Sequence, residues 1–297
     1  MKLLIIGSKG FIGSHCVAWF GRQHEVWAAD VHTDYNEKNF FLVSPANSDF
    51  HGVFVRQKFD FCINCSGAAS VPDSLVDPAR DYQLNVNNVF YLLEAIRVTS
   101  PDCKFLNLSS AAVYGNPKEF PISEKQVANP LSPYGYHKLY AEQLCGEYFH
   151  FYKIRTSSLR IFSAYGPGLK KQIFWDLFLK TTQANEIQLF GSGRETRDYI
   201  FIEDIMRGIQ CILDRDVFDA SVYNLASGVS RTIEEVSRLF LDALGWKGKI
   251  EFSGKKREGD PDFWSADISK LQSLGFVPQV SVQEGIKKYV KWLSQSD

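Results

Sequence analysis

The chain has 297 residues, of which 45% are hydrophobic and 23% charged, so it can bury one large core or two modest ones. Its formal net charge of −1 gives no general electrostatic field for nucleic acid or an acidic membrane surface. No apolar run approaches the roughly 20 residues that span a membrane, and we expect a cytoplasmic protein.

Six cysteines are present, and we expect them to be core thiols rather than a disulfide framework. Cys62 and Cys65 form a C-x-x-C pattern, but they lie in a predicted strand, where side chains three apart point to opposite faces. No second cysteine pair has the spacing of metal ligands, and neither do the six histidines. No metal site is therefore predicted.

A glycine-rich turn separates the first predicted strand, residues 2–6, from the first predicted helix, residues 11–22. Gly7 permits the tight turn, Gly10 lets a pyrophosphate approach the backbone, and Gly13 lets the helix pack close to the strand. The helix N-terminus then offers unpaired N–H groups to phosphate oxygens. The pattern favours a dinucleotide site, and an ordinary strand–helix turn is the alternative.

The second predicted strand, residues 25–29, ends at Asp30. A carboxylate there can accept hydrogen bonds from the ribose hydroxyls of an adenosine, and it would repel the additional phosphate of NADP. No arginine follows directly, so these residues favour NAD. A solvated aspartate at a strand end is the alternative interpretation.

Strands and helices continue to alternate over the first part of the chain, which predicts a doubly wound parallel sheet, the Rossmann fold. Ligands of such sheets bind at the carboxyl ends of the strands, where several sequence features coincide and indicate one dinucleotide site. These features are the glycine turn, Asp30, residues 66–70, Ser110, Phe162 and Ser163. The further strands are predicted at 60–65, 104–108 and 157–162, with helices at 80–98 and 133–152.

The last helix of this series has Ser132 as its predicted cap and Pro133 in its first turn. Tyr134 and Lys138 stand four residues apart, so they share one face of the helix. An ammonium group near a phenol lowers the phenol pKa, and an oxidised nicotinamide would add a second positive charge, which together could produce an oxygen base. An ordinary surface pair is the alternative. His137 is expected to point off the shared face and is assigned no role.

The pattern changes after residue 166, and we predict a smaller C-terminal α/β domain that binds substrate. The predicted domains are residues 1–166, which bind NAD, and residues 167–297, with parts of about 198–228 returning to the first domain. The helices predicted in this region are 171–183, 203–214, 232–243, 267–274 and 282–294.

Two arginines in this second region, Arg197 and Arg257, are candidate clamps for a substrate diphosphate, because guanidinium groups match phosphate oxygens. Each could instead be a solvated charge. Phe190 could stack on a nucleotide base, and core packing is the alternative for an isolated aromatic side chain.

Together these residues resemble the extended short-chain dehydrogenase/reductase family, in its NAD-dependent nucleotide-sugar epimerase and dehydratase group. The resemblance covers nearly the whole chain. Within the group, residues 257–260 followed by residues 263–267 are most similar to the UDP-galactose (UDP-glucose) 4-epimerases. The motifs that carry the resemblance are the glycine turn, residues 64–70, Asn85, residues 109–115, Tyr134 with Lys138, residues 159–162, residues 197–200 and residues 257–260.

The resemblance implies a role for each matching position. Tyr134 would be the base, Lys138 would lower its pKa and hold the nicotinamide ribose, and Ser110 would hydrogen-bond the sugar oxygen. The implied NAD-binding residues are Gly7, Gly10, Phe11, Ile12, Gly13, Asp30, Cys65, Ser66, Gly67, Ala68, Asn85, Ser109, Tyr134, Lys138 and Phe162. The implied substrate-binding residues are Ser110, Ser163, Phe190, Arg197, Arg257 and Asp260. The family also implies a homodimer paired through helices at about 85–98 and 134–152.

The two residues after Ser110 help to separate the reactions of this group. Its 4,6-dehydratases place an acid pair there and its sugar-acid decarboxylases a glutamate, whereas this chain has Ala111 and Ala112, which cannot transfer protons. The resemblance therefore implies 4-epimerisation, most similar to that of a UDP-hexose, by transient oxidation at C4. A dehydrogenase or 4-keto-sugar reductase of the same fold is the alternative, and a non-catalytic NAD-sensing protein is a more remote one.

Overall fold

The central feature of the structure is a seven-stranded sheet whose strands are connected by helices. The computed structural model describes residues 1–33, 37–44, 48–255, 259 and 261–295. The strands, in chain order, are β1 (Lys2–Ile6), β2 (Glu25–Asp30), β3 (Phe40–Leu42), β4 (Phe61–Asn64), β5 (Lys104–Ser110), β6 (Thr156–Ile161), β7 (Ser163–Tyr165), β8 (Glu186–Leu189), β9 (Thr196–Phe201), β10 (Asp219–Leu225), β11 (Ser230–Thr232) and β12 (Lys249–Phe252).

The helices alternate with these strands in the first half of the chain. They are α1 (Phe11–Phe20), α2 (Phe50–Arg56), α3 (Val71–Val76), α4 (Pro78–Tyr82), α5 (Asn88–Thr99), α6 (Pro133–Tyr152), α7 (Gln172–Thr181), α8 (Ile202–Arg215), α9 (Ile233–Leu244), α10 (Ser269–Ser273) and α11 (Val282–Leu293). Among the residues that the structure describes, no helix combines the length and the apolar character needed to cross a bilayer.

The strand order of the large sheet is β3-β2-β1-β4-β5-β6-β10. The pairings from β3 through to β6 are all parallel. The chain moves outwards from β1 to β3 and then returns to the other side of β1 with β4, so the order reverses between β1 and β4. This topology confirms the predicted doubly wound sheet, and in such a sheet the reversal point is where a ligand crevice forms.

Strand β1 is uniformly apolar from Leu3 to Ile6 because it is buried on both faces. Leu4 and Ile6 belong to a buried cluster that includes side chains from α2, α5 and α6. Leu3 and Ile5 alternate with them and are also fully inaccessible to solvent, and α1 contacts the sheet at β1 and β2. Burial on both faces favours a continuous apolar run, which is the pattern that predicted this strand.

The chain forms two compact units, each built from more than one segment. Unit 1 comprises Met1–Gly115, Val127–Ile161 and Ile209–Tyr223. Unit 2 comprises Asn116–Gln126, Phe162–Gly208 and Asn224–Asp297. The assignment of the cofactor to the first part of the chain and the substrate to the second stays a prediction.

Unit 2 is built around small sheets and a cluster of aromatic rings. Strands β11, β9 and β7 form one sheet, and β8 pairs with β12 in a second, parallel one. The ring of Phe174 lies 5.2 Å from those of Tyr165 and Phe240 and 6.2 Å from that of Tyr289, measured between centroids. These rings join β7 to helices α7, α9 and α11, so aromatic packing holds this unit together.

The single helix predicted over 80–98 is instead three pieces. Helix α4 is followed by one π-helical turn, Gln83–Asn87, before α5 begins. A π-helical turn accommodates an extra residue, which sequence periodicity does not reveal, and such turns are frequent at functional sites. This one carries Asn85, which is buried.

A buried ion pair fixes α6 to the sheet. Glu142 of α6 accepts hydrogen bonds from two nitrogens of Arg160 of β6, Nε and Nη2, with a closest separation of 2.7 Å between Nη2 and Oε2. The Ser109 hydroxyl of β5 donates to the same carboxylate at 2.5 Å. Burial alone would lower the Arg160 pKa. The hydrogen bonds and negative charge of Glu142 outweigh this effect and raise the Arg160 pKa. Arg160 therefore keeps its charge, and the pair sets the position of α6 over β5 and β6.

Replacing Glu142 with Leu should lower the free energy of unfolding by about 3–5 kcal/mol, because a buried guanidinium would lose its carboxylate. The double variant Glu142→Leu/Arg160→Met should recover at least half of this loss, because it leaves no buried charge. Urea unfolding of both variants measures the difference. A loss below about 1 kcal/mol in the single variant would show that the pair does not hold the helix.

Candidate active site

Helix α6 begins as its sequence predicts. Ser132 is extended at the cap position, its hydroxyl accepts a hydrogen bond from the Gly135 N–H at 3.2 Å, and Pro133 occupies the first turn. Tyr134 and Lys138 then lie on the buried side of the helix, with 8% and 7% of their surfaces exposed. Their burial argues against an ordinary surface pair, because a solvated pair would not be enclosed by the protein.

Tyr134 is held in its protonated form by burial, which raises its pKa to about 12. A hydrogen bond with the Ser110 hydroxyl at the end of β5 acts in the opposite direction, while the negative charge of Asp81 adds to the increase. To act as a base near neutral pH, this phenol needs additional positive charge close to it.

Lys138 lies beside this phenol, with its Nζ 5.9 Å from the centroid of the Tyr134 ring. The ammonium donates a hydrogen bond to the Leu108 carbonyl oxygen at 3.0 Å. Burial lowers the Lys138 pKa to about 8, and the charges of Asp81, Cys65 and Glu142 limit this decrease. At pH 7 the lysine is therefore mainly protonated and supplies one of the positive charges that Tyr134 needs.

The glycine turn after β1 is packed too tightly for any larger residue. Gly7 has a φ of +75°, and a Cβ atom there would lie 2.7 Å from the Ser66 nitrogen at the end of β4. A Cβ atom on Gly13 would lie 2.0 Å from the Gly7 carbonyl oxygen. The turn thus brings the start of α1 directly against β1 and β4, at the reversal point of the sheet.

The start of α1 leaves backbone donors available. Gly10 is at the cap position and no side chain caps the helix, which begins at Phe11 and Ile12. The first N–H groups of a helix have no acceptor within it, so they can bind an anion. The hydroxyl of the neighbouring Ser8 is buried and has no partner in the part of the chain that the structure describes.

Asp30 lies at the end of β2 and is only 8% exposed, so the solvated alternative does not describe it. One carboxylate oxygen accepts a hydrogen bond from the Lys9 N–H at 2.8 Å, and the other accepts from the His32 N–H at 3.0 Å. These backbone contacts fix the carboxylate next to the glycine turn. The carboxylate is thus positioned at the strand end where the sequence predicts a ribose contact.

Asn85 and Gly67 meet beside Lys138. Gly67 has a φ of +118°, and a Cβ atom there would lie 2.4 Å from Asn85 Oδ1 and 3.4 Å from Lys138 Nζ. Asn85 is 2% exposed, and neither its Oδ1 nor its Nδ2 has a hydrogen-bond partner among the described residues. An unpaired buried amide costs about 1–3 kcal/mol, so this arrangement fits a bound polar group that completes its hydrogen bonds.

The remaining residues that the sequence predicts near β4 and β5 have defined partners. Ser66 donates from both its backbone N–H and its hydroxyl to Asn64 Oδ1, at 3.2 and 2.6 Å. Cys65 and Ala68 are half-buried in the same turn. Ser109 is buried and its hydroxyl is used by Glu142. Unit 1 therefore brings together the predicted NAD-binding residues other than Phe162.

Four predicted residues belong to unit 2. Phe162 is buried against Trp264, with 5.8 Å between ring centroids, and Ser163 is half-buried at the start of β7. Phe190 is 63% exposed, so core packing does not account for it. Arg197 Nη1 donates to the Thr196 carbonyl oxygen at 2.8 Å, and its guanidinium lies 5.5 Å from the Trp264 ring centroid. Two further predicted residues, Arg257 and Asp260, lie outside the described residues.

Sequence reasoning missed Arg231. It lies on β11 directly opposite Arg197 of β9, and opposite residues of antiparallel strands present their side chains on the same face. Arg231 Nε is buried without a hydrogen-bond partner among the described residues. Like charges placed opposite each other repel, so this pair fits a site that receives an anion. Only the pairing of β9 with β11, which the sequence did not predict, reveals it.

Sequence reasoning also missed the contact between Asp81 and His137, a residue that was assigned no role. His137 is 8% exposed, and its Nδ1 lies 2.6 Å from Oδ2 of the buried Asp81. Its spacing of three residues from Tyr134 places it on the buried side of the helix, since residues three and four apart are neighbours on a helix surface. That spacing was the signal that could have identified it.

The described residues contain no group of three or more His, Cys, Asp or Glu side chains that could hold a metal ion. The donors that converge in unit 1 are instead amides, hydroxyls, an ammonium and backbone N–H groups, which suit an organic ligand that carries phosphates.

A family model described as the NAD-dependent epimerase/dehydratase family matches residues 3–226 of the chain. The chain belongs to this family. The resemblance stated from the sequence motifs is therefore confirmed, and the epimerase/dehydratase match includes β1 with its glycine turn, Asp30, Asn85, Ser110, Tyr134 and Lys138.

Relatives of this epimerase/dehydratase chain match along nearly its whole length. The UDP-glucose 4-epimerase of Mycolicibacterium smegmatis is 28% identical, over 98% of this chain and 98% of its own. A UDP-glucose 4-epimerase of Thermotoga maritima, solved with UDP-glucose, is 26% identical with a TM-score of 0.91, over 100% of this chain and 99% of its own. A UDP-glucuronic acid 4-epimerase from Bacillus cereus, solved with UDP-glucuronic acid and NAD, is 26% identical with a TM-score of 0.90, over 99% of each chain.

Replacing Lys138 with Met should raise the free energy of unfolding of the cofactor-free protein at pH 7 by about 2 kcal/mol, because folding would no longer remove an ammonium group from water. The wild-type Lys138 pKa is about 8 when folded, against 10.5 for the ordinary lysine. Wild-type stability should therefore rise between these pH values, where only the unfolded lysine keeps its proton, and the variant should lack this rise.

Urea unfolding at about pH 7 and about pH 9.5 measures this difference. Lys125→Met, which changes an exposed lysine, is the matched control and should alter stability little. A Lys138→Met variant that is less stable than wild type at both pH values would contradict the argument.

Proposed function

We propose that this chain is an NAD-dependent UDP-sugar 4-epimerase that acts on a UDP-hexose of the UDP-glucose/UDP-galactose type. The observation that carries the proposal is the placement of Tyr134, Lys138 and Ser110 next to the unpaired amide of Asn85, in a chain that belongs to the epimerase/dehydratase family. An acid–base pair beside a polar cleft suits proton transfer at a hydroxyl group next to a bound nicotinamide.

The residues of unit 1 fit NAD. The start of α1 and the glycine turn would hold the pyrophosphate, Asp30 the adenosine ribose, and Lys138 with Asn85 the nicotinamide side. Cys65, Ser66, Gly67, Ala68, Ser109 and Phe162 stay predicted members of this cofactor site. Bound NAD would supply the hydride acceptor and donor that C4 oxidation and reduction require.

The protein groups would then transfer the proton. Tyr134, as the phenolate, removes the proton from the C4 hydroxyl while Ser110 hydrogen-bonds the same oxygen. Lys138 keeps the phenolate stable through its positive charge, since burial alone favours the neutral phenol. The keto-sugar rotates in the site, so that hydride returns to the opposite face of C4. Tyr134 then returns the proton to the oxygen at C4, and the configuration at this carbon is inverted.

The residues after Ser110 support epimerisation rather than elimination. Ala111 to Tyr114 form a 3₁₀ turn, and the Ala112 N–H donates to the Ser110 hydroxyl at 3.2 Å. Neither alanine side chain can exchange a proton with the sugar, so these two positions provide no acid for loss of water at C5 and C6.

The substrate diphosphate would bind arginines of unit 2. Arg197 is the predicted residue, Arg231 is opposite it, and Arg257 and Asp260 stay predictions. Phe190 is exposed and available to stack on a base, and Ser163 is the remaining predicted contact. The relatives solved with UDP-glucose and with UDP-glucuronic acid make a UDP-hexuronate the second substrate to test, with an N-acetylhexosamine as the third.

Replacing Tyr134 with Phe should lower the epimerisation rate by about 1,000-fold or more, because the phenol proposed to remove the C4 proton would be absent. NAD and the UDP-sugar should still bind, because the aromatic ring remains. Tyr136→Phe, at an exposed tyrosine two residues later, is the control and should keep the wild-type rate.

The assay incubates the purified protein with UDP-glucose, UDP-galactose, UDP-glucuronate and UDP-N-acetylglucosamine, and follows both sugar interconversion and NADH. Interconversion without net NADH supports the epimerase. Net NADH formation on any of these sugars favours the dehydrogenase or 4-keto-sugar reductase. Bound NAD with no reaction, and a function that persists in Tyr134→Phe, would favour an NAD-sensing protein.

A homodimer paired through α5 and α6 is part of the proposal. These helices pack on each other and expose several large apolar side chains. The exposed residues are Phe90 (41%), Tyr91 (43%) and Val98 (56%) of α5, and Tyr136 (43%), Tyr140 (38%), Phe151 (70%) and Tyr152 (48%) of α6. A second copy presenting the same face would cover them. Location in the cytoplasm stays a prediction from the sequence.

The double variant Phe90→Asp/Val98→Asp should be a monomer at micromolar concentration, because charged side chains would oppose burial of this face. Light scattering after size-exclusion chromatography measures the mass. Val127→Asp, at an 89% exposed valine outside both helices, is the control and should keep the wild-type mass. A wild-type monomer, or a dimer that survives the double change, would contradict this interface.

A further inference from the structure

The contact between Asp81 and His137 is a buried polar pair next to the proposed base. Nδ1 of His137 lies 2.6 Å from Oδ2 of Asp81, and the two side chains are 10% and 3% exposed. A carboxylate accepts hydrogen bonds, so Asp81 suits an imidazole N–H as its partner. The Tyr82 ring meets the imidazole edge-on at 5.1 Å and further encloses the pair.

The pair connects the two segments that carry the cofactor and proton-transfer residues. Asp81 is in α4, and the π-helical turn that follows holds Asn85 four residues later. His137 is in α6, between Tyr134 and Lys138. A short buried hydrogen bond between these segments therefore fixes the distance between the unpaired Asn85 amide and the Tyr134–Lys138 pair.

Asp81 also acts through its charge. Its Oδ1 is buried without a hydrogen-bond partner among the described residues, so only one of its two oxygens is satisfied. Its negative charge raises the pKa of both Tyr134 and Lys138. A buried carboxylate with an unpaired oxygen is costly for stability alone, which indicates a functional reason for its position.

Among the charged groups near this site, Asp81 is the carboxylate whose charge acts on Tyr134. Tyr134 faces Lys138 of its own helix, Ser110 of β5 and Asp81. Cys65, after β4, and Glu142 of α6 also raise the Lys138 pKa. The charge of Glu142 is balanced by that of Arg160. His137 additionally faces the rings of Tyr82 and Tyr140, and the other charged residues of α3 and α4 are exposed, namely Asp73, Asp77 and Arg80.

We propose that Asp81 and His137 are positioning residues for the base, which clamp the Asn85 turn to the Tyr134 helix and set the pH range in which the base works. This inference rests on the proposed function for its meaning in catalysis. Neither residue need touch the substrate: Asp81 acts through its charge and through His137, and His137 acts by holding Asp81.

The charge is tested with Asp81→Asn, which keeps the shape of the side chain and an oxygen that can accept from His137. Removing the negative charge should make both Tyr134 and Lys138 lose their protons at lower pH. The acid limb and the alkaline limb of the rate profile should therefore both move to lower pH, by about one unit. If the pair were merely structural, Asp81→Asn would lower the maximum rate and leave the pH of both limbs unchanged.

The clamp is tested with two changes at His137. His137→Ala removes the hydrogen bond and should weaken NAD binding by about tenfold, because Asn85 is no longer held against α6. His137→Asn retains an amide donor near the position of Nδ1 and should restore most of this loss. The Kd for NAD, measured by isothermal titration without any sugar, is the readout.

The matched control is Tyr148→Phe. Tyr148 also lies in α6 and hydrogen-bonds a carboxylate of another helix, with its hydroxyl donating to Glu94 of α5 at 2.6 Å. Its loss should lower thermal stability about as much as His137→Asn or more, but it should change neither the pH profile nor NAD affinity. This comparison separates a specific effect on the site from a general weakening of α6.

Titration of the tyrosinate absorbance of the NAD-bound protein, with Tyr134→Phe as the blank, gives a readout that needs no substrate. An Asp81→Asn protein that is folded and titrates at the wild-type pH overturns the charge role. Equal NAD affinity in wild type and His137→Ala overturns the clamp. Failure of the wild-type protein to epimerise any UDP-sugar would overturn the proposed function alone, because these two measurements would still report on Tyr134 and on NAD.

Discussion

The position of helix α6 depends on one buried ion pair. Glu142 and Arg160 hold the helix against β5 and β6, and the Ser109 hydroxyl contributes the third contact. Tyr134 lies two helical turns before Glu142, so its distance from Ser110 at the end of β5 is set by the same attachment. A buried charge pair is a poor source of net stability, but its directional hydrogen bonds allow few alternative positions, and proton transfer requires such accuracy.

Burial affects Tyr134 and Lys138 in opposite directions. It keeps the phenol protonated and makes the ammonium easier to deprotonate; Lys138 still stays mainly protonated at pH 7, but Tyr134 does not become a phenolate through its surroundings alone. Under the proposed function, an oxidised nicotinamide contributes the missing positive charge. The base would then be strong only when the cofactor is bound in its oxidised form, which couples removal of the proton to the presence of a hydride acceptor.

The sequence predicted the parts of the fold that local rules determine. The glycine turn, the Ser132–Pro133 start of α6 and the apolar run of β1 each have a steric, hydrogen-bonding or burial cause within a few residues, and the structure agrees with them. Arg231 and the Asp81–His137 pair were missed because their partners are distant in the chain and depend on strand pairing and helix packing. The π-helical turn at Asn85 was missed because one extra residue scarcely alters the hydrophobic pattern.

The interleaving of the two units along the chain has a consequence for biosynthesis. Strand β10 at the edge of the large sheet ends at Leu225, and residues Ile209–Tyr223 belong to unit 1 although most of unit 2 is encoded around them. A ribosome must therefore translate the chain as far as β10 before the last strand of the first unit can add to the growing sheet. Until then the outer edge of β6 has unpaired backbone groups, and such an edge can pair with another chain unless it is covered.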